Sequence, residues 1–379
     1  MTVKSDGTSR TTNLWWESAY DRWLASQDVP VYSGYHAEDV RTLKLGWWSL
    51  RQCPGAVLNL VGHQGVTEAH VLEIPPGQTL PPFRMALEEA IYVPEGQGLA
   101  TVWAEGRPKV TFEWQKHSLF RIPSNYFYQL TNARGDRPAR TLHVSYLPSA
   151  MSIQPDPNYF FNNPYLDTGE LYREESNFYS AEARAVRAEV KRGEKSSVTY
   201  HWYANFFPDL TVWDRLKSQG SRGGGARSAG IQFPNSCIRT GLMVLPAQRY
   251  KKAHRHGPGV TIVGISEGEG YVVMWPEGGE RVVCPWREGT VFVPPNHWYH
   301  QHVNTGPVQN RQLRIFPPRP MMGYNIRDMR QQIEYVDEAP WIRQKFEEEL
   351  AKTSLTSLMP EEAYRDPNFK FDDEEMQGD

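Results

Sequence analysis

From residue 40 onward the chain alternates short apolar runs with Gly, Pro, Asn or Asp. Val57–Val61, Thr67–Ile74, Glu89–Val93, Leu99–Ala104, Lys109–Trp114, Ser118–Ile122, Tyr126–Thr131 and Ala139–Tyr146 each have the length of a strand. No helical period intervenes, so the pattern predicts an antiparallel sandwich or barrel. The rhythm returns at Cys237–Val244, Gly259–Ile265, Gly270–Met274, Glu280–Cys284, Thr290–Val293, Trp298–Val303 and Gln312–Phe316. The periodicity predicts helices over Leu14–Leu24, with Asn13 as cap, over Ser180–Arg192, and over Asn325–Val336 and Pro340–Leu350. Trp15, Trp16, Tyr20, Trp23 and Leu24 give the first of these an aromatic face for packing. Ser218–Gly230, with its Gly220-Ser221-Arg222-Gly223-Gly224-Gly225-Ala226-Arg227 run, reads as a mobile loop; no Gly-Lys-Ser/Thr follows to make a phosphate cradle. Residues 1–12 and the acidic tail 360–379 read as disordered, or for the tail as laid over a partner. The organisation expected is an N-terminal β unit with a helical arm (1–150), a linker (151–229), a C-terminal β unit (230–320), and helices with an acidic tail (321–379).

The two β regions are copies of one plan. Glu95, Gly96, Gly98, His117, Pro123, Tyr128 and Asn132 reappear as Glu267, Gly268, Gly270, Gly289, Pro295, His300 and Asn304, at a constant offset (267 − 95, 304 − 132). Such a repeat means two structural units of one kind.

Histidines break the equivalence. Five of the 11 histidines fall between Lys252 and Asn304. His254 and His256 share one face of a strand, and so do His300 and His302, because side chains alternate with period 2. Neutral imidazole is the commonest side-chain metal ligand. Three imidazoles, His254, His256 and His300, would hold a divalent ion and leave positions open for chemistry. His302 is a candidate proton donor or acceptor beside them, with a buried structural histidine as the competing reading. Arg314, on a barrel strand, is a candidate clamp for a substrate carboxylate. Arg255 points away and suits a salt bridge, and His297 suits a structural turn. In the first copy the corresponding positions are Phe83, Met85 and Tyr128, which leaves Glu89 without metal-binding company, so a single metal centre is expected. His63, His70, His117 and His143 read as structural.

Composition narrows the field. The formal charge of −3 across 379 residues argues against nucleic-acid binding. No apolar run is long enough to span a membrane, and the N-terminus lacks a secretory h-region. Three scattered cysteines fit a reducing cytoplasm and exclude a cysteine-rich zinc site.

These segments resemble the two motifs of the cupin family, which implies two tandem jelly-roll barrels, an all-β fold with helical additions. The second copy shows His254-x-His256, Thr261 where the family has Glu, then Gly268, Gly289, Pro295, His300 and Asn304; the first keeps only Gly77, Glu89 and Gly96 of its first motif. Within the family, Ala253–His256 and Trp298–Asn304 are similar to stretches of the gentisate and salicylate ring-cleaving dioxygenases. That resemblance implies Fe(II) on three histidines, a chelating hydroxybenzoate-like acid and O2. Ni, Co, Mn, Cu or Zn would suit the same ligand type. Two alternatives are an O2-independent metal-dependent isomerase, lyase or hydrolase, and a non-catalytic binding protein. A small-molecule substrate and a homo-oligomer are expected.

Overall fold

In the computed structural model, the residues described are 18–163, 169–173, 178–192, 195–213, 216–218, 222–318, 321, 331–367, 369 and 371. The protein is two jelly-roll barrels in tandem. In the first, the larger sheet contains Cys53–Leu58, Glu68–Ile74, Ala139–Ser145, Glu89–Glu95 and Leu119–Ile122. Its smaller partner sheet is Phe127–Asn132, Gln97–Trp103 and Val110–Gln115. In the second, Arg227–Gln232, Arg239–Leu245, Asn310–Phe316, Thr261–Gly264 and Val291–Phe292 form the larger sheet. Val282–Trp286, Gly270–Trp275, Tyr299–Asn304 and Ala253–His254 form the smaller one.

The two large sheets pack back to back. Ala69, Val71, Ala90, Tyr92, Leu142 and Val144 on one side share a core with Ile231, Leu242, Val244, Val263, Leu313 and Ile315 on the other. Because both faces are buried, these strands read as near-continuous apolar runs rather than as alternating ones. The barrels also exchange strands. His36–Ala37, from the N-terminal arm, pairs with Val291–Phe292 of the second barrel, and Phe206–Phe207 pairs with Leu119–Phe120 of the first.

The repeat shows most plainly in its asparagines. Asn132 Nδ2 donates to the carbonyls of Ile74, Pro75 and Arg137 at 2.9–3.3 Å, and Asn304 Nδ2 donates to those of Leu245, Pro246 and Val308 at 2.9–3.2 Å. Each closes the same corner of its barrel with three hydrogen bonds, satisfying backbone groups that would otherwise be buried unpaired. Gly289 and its counterpart His117 both take a left-handed conformation, φ +86° and +71°.

Several helices expected from sequence differ in the structure. The first is Ala19–Ala25, capped by Ser18 in a capping box with Asp21; Asn13 lies outside the described residues. Tyr20, Trp23 and Leu24 bury into the first barrel's core as expected of that aromatic face. The stretch Ser180–Arg192 is not a helix. Its residues Arg184–Arg192 form a hairpin strand with Lys195–Tyr203, which in turn pairs with Arg227–Gln232. Sheet pairing there overrides a helical charge spacing. Of Asn325–Val336, only the last residues are described, and they are a short strand, Gln332–Ile333, and a 3-10 turn starting at Tyr335, not a helix. The Gly-rich stretch is not all loop: Arg227–Gln232 is a strand, and Gly223 and Gly224 turn at φ +69° and +67°. A Cβ at Gly224 would meet the Tyr250 carbonyl at 2.5 Å, so the close approach requires glycine.

The helix Pro340–Ala351 forms as the pattern predicts. Its Ile342, Phe346 and Leu350 cover the outer face of the second barrel's smaller sheet at Tyr250, Tyr271, Val273 and Val303. The start of the acidic tail is laid on its own chain: Met359, Ala363 and Phe371 join the same cluster. The remainder, 372–379, and residues 1–12 lie outside the described residues. Among the described residues no helix is long and apolar enough to cross a membrane.

Candidate metal centre

The second barrel's interior gathers four imidazoles. His254 ends a two-residue strand and pairs directly with His300 on Tyr299–Asn304. Their ring centroids are 4.3 Å apart, and His256 lies 4.7 Å from His300 and 6.2 Å from His254. His302, two residues along the same strand, lies 5.6 Å from His300 and 6.1 Å from His254. Donor atoms of His254, His300 and His302 all fall within 4.8 Å of one another.

Hydrogen bonding fixes which nitrogen each ring presents. His254 Nδ1 faces the Lys252 carbonyl at 3.2 Å, His256 Nδ1 faces the Gly257 carbonyl at 2.7 Å, and His300 Nδ1 faces the Trp298 carbonyl at 3.4 Å. A carbonyl can only accept, so Nδ1 carries the proton and Nε2 keeps the lone pair. This backbone bracing is the arrangement that orients metal-ligating histidines. Burial holds all four rings neutral. It pushes His254, His300 and His302 well below the ordinary imidazole range and His256 down to about 4; neighbouring cationic groups push the same way. His300 Nε2 and His302 Nδ1 are buried without a hydrogen-bond partner. Buried polar atoms rarely stay orphaned, so the donor set fits a divalent ion.

Arg314 lies on Asn310–Phe316, and its neighbours Leu313 and Ile315 face the inter-barrel core, so Arg314 and Gln312 face the barrel interior. The electrostatic influence of Arg314 reaches His302 and His256. Arg255 points outward as expected, bonding Glu277 at 2.7 Å and stacking on Tyr299. His297 adopts a left-handed turn, φ +56°, consistent with a spacer.

One register needs correction. In the first barrel His143 pairs with Ile91, two residues beyond Glu89. In the second, Arg314 occupies the place of His143, opposite Gly241 as His143 is opposite His70, and pairs with Ile262, two residues beyond Val260. Val260, not Thr261, therefore stands where Glu89 stands. Thr261 turns towards the other barrel, where its Oγ1 meets His63 Nε2 at 3.3 Å. Among the described residues the centre still has no carboxylate.

Two features escaped the sequence reading. Lys251 is buried in the second barrel, with its amine 3.1 Å from Met243 Sδ. Burial pushes its pKa well down, and Arg314 and Arg222 add to this. Its spacing from His254 is three residues, across a break in the strand, so alternation did not place it inside. In the first barrel Glu89 is not without company: His70 and His143 join it, with donor atoms within 4.8 Å. They come from two different strands and share no His-x-His spacing, so nothing local in the sequence pairs them.

No family model matches the chain, and no curated protein does. Solved structures it resembles include an oxalate decarboxylase from Bacillus subtilis at pH 4.6, at 14% identity and a TM-score of 0.45 over 76% of this chain and 77% of that one. The coconut allergen cocosin is similar at 13% identity and a TM-score of 0.43 over 68% and 78%. From its own strand order and repeated corners, the architecture of the chain is two tandem jelly-roll barrels, and among the described residues the four-imidazole cluster lies in the second.

Proposed function

We infer that the chain is a metal-dependent oxygenase that uses Fe(II) in the second barrel, acting on an aromatic, hydroxybenzoate-like or other metal-chelating carboxylic acid. The observation that carries this reading is a carboxylate-free set of imidazoles whose lone pairs are freed by backbone carbonyls on Nδ1. His254, His256 and His300 hold the ion. When bound, ferrous ion in a three-histidine site supplies open positions for O2 and for two substrate oxygens.

The remaining work falls to the chain's own side chains. Arg314 supplies positive charge on the interior wall and pairs with the substrate's carboxylate. His302 lies beside the ligands and moves a proton at its unpartnered Nδ1. Val260, Ile262, Met274, Trp286 and Phe292 form an apolar lining that excludes water, which strengthens the charge interactions inside. The partners on this reading are one small acid and O2.

Metal analysis with oxygen uptake tests it. Iron at one equivalent per chain, with O2 consumed one for one against a hydroxybenzoate-like acid, is the expected result. Turnover under strict anaerobiosis contradicts it and moves the reading to an O2-independent isomerase, lyase or hydrolase. Undiminished ligand binding by a metal-free His256→Ala protein contradicts both and leaves a binding protein.

A further inference from the structure

We propose that Arg51 is the permanent cation of the first barrel, standing where a metal ion would sit, and that it holds shut a divalent-metal site made by His70, Glu89 and His143. Arg51 lies in the turn before Cys53–Leu58, and its side chain is 4% exposed. Its guanidinium lies 3.7 Å from the Phe83 ring centroid, Nη1 is 3.3 Å from Glu89 Oε1, and Nη2 donates to the Tyr128 hydroxyl. Tyr128 in turn donates to Glu89 Oε2 at 2.7 Å. Phe83, Glu89 and Tyr128 occupy the positions of His254, Val260 and His300. One guanidinium thus engages three of the places from which the repeated plan offers ligands, through a ring face, a carboxylate and a hydroxyl.

Behind it, His70 and His143 stack at 4.8 Å with 14° between planes. His143 Nδ1 is 3.4 Å and His70 Nε2 3.7 Å from Glu89 Oε1, the same oxygen that faces Arg51. Three of the four ring nitrogens, both of His70 and Nδ1 of His143, are buried without a hydrogen bond. The outward nitrogen of His143 already has the hydrogen-bonded backing that metal-bound imidazoles use, and that of His70 faces a carboxylate beyond hydrogen-bond reach. His143 Nε2 meets Thr141 Oγ1 at 3.0 Å, and His70 Nδ1 is 3.7 Å from Glu68, which Tyr20 and Ser145 hold in place. Two imidazoles and one carboxylate suit Zn, Co or Fe.

Charge decides between the two cations. The guanidinium offsets the Glu89 carboxylate, and a dication added beside Arg51 would be repelled at short range. Without Arg51, the buried Glu89 carboxylate and the lone pairs of two imidazoles are left to attract one. The site lies on His70 and His143, whose second-barrel counterparts are Gly241 and Arg314, so it is not the second barrel's ligand set repeated.

Co2+ titration of wild type against Arg51→Ala and Arg51→Met tests this, by visible absorption and by metal analysis after gel filtration. The expected result is one additional equivalent per chain in both variants, with affinity lowered at least about 100-fold when Glu89→Gln is added. Counting is relative to wild type, so the result stands whatever the second barrel binds. Equal stoichiometry in wild type and variants overturns the proposal, and so does a Co2+ anomalous peak at His70, Glu89 and His143 in wild-type crystals. Should neither variant fold without metal, refolding that depends on Co2+ supports the proposal, and failure to refold with Co2+ overturns it.

Discussion

The two barrels share a backbone plan and differ in what fills it. At matching interior positions the first carries Leu72, Leu80, Tyr128 and Leu130, where the second carries Met243, Lys251, His300 and His302. The backbone bonds are the same: Leu80 N donates to the Leu130 carbonyl at 2.9 Å, and Lys251 N to the His302 carbonyl at 3.0 Å. Asn125 N donates to the Met85 carbonyl, and His297 N to the His256 carbonyl, at 2.9 Å each. The fold therefore does not specify the chemistry; a handful of side chains on one scaffold does. The first barrel neutralises the Glu89 carboxylate at its centre with an arginine from its own chain. The second, among the described residues, gathers imidazoles and no carboxylate at its centre, and on the function proposed a metal ion completes them.

The largest expected difference is in metal content. His300→Ala should lower metal affinity by well over the roughly 10–100-fold that follows loss of an outer hydrogen-bond partner, whereas Tyr128→Phe should leave metal content unchanged. Metal analysis of the two purified variants checks this, and equal loss in both would break the comparison.

Next comes stability. Glu89→Ala strands the Arg51 guanidinium in the first barrel's core and should cost about 3–5 kcal/mol, read by urea unfolding. Val260→Ala, at the matching place in the second barrel, removes only apolar volume and should cost less, about 1–3 kcal/mol.

The contact between barrels should depend on pH through His63. This ring is fully buried; Leu60 N donates to its Nδ1 at 3.2 Å, so Nε2 carries the proton and donates to Thr261. Burial pushes its pKa from the ordinary 6.5 down to about 4, against the opposing pull of Glu68. The unfolded chain then binds more protons than the folded one between those values. The stability His63 contributes is complete above pH 6.5 and is lost as pH falls towards 4, by up to about 3 kcal/mol. Unfolding of His63→Gln against wild type over that window should show a flatter slope for the variant.

The smallest expected difference is between the two corner asparagines. Asn132→Ala and Asn304→Ala each remove three hydrogen bonds and should each cost about 1–3 kcal/mol, matching within error if the barrels are equivalent scaffolds.

The tandem barrels were legible because strand length, turn residues and the repeat all point the same way. The four convergent histidines were legible because alternation along Tyr299–Asn304 and around Ala253–His254 puts them on one face. What escaped depends on pairing between distant strands. The partnership of His70 and His143 with Glu89 needs three strands in register, and the place of Val260 shifts by one residue because the two copies differ in length before Gly268. Arg51 escaped because it enters the first barrel from a turn outside both repeated motifs. The Arg184–Arg192 hairpin escaped because its charge spacing also fits a helix, and only sheet pairing decides.

The most direct test of the account is anomalous diffraction at the iron edge from crystals of the purified wild-type protein. The account predicts one peak per chain, in the second barrel among His254, His256 and His300, and none beside Arg51. A peak in the first barrel, or none in the second with iron present in solution, would contradict it.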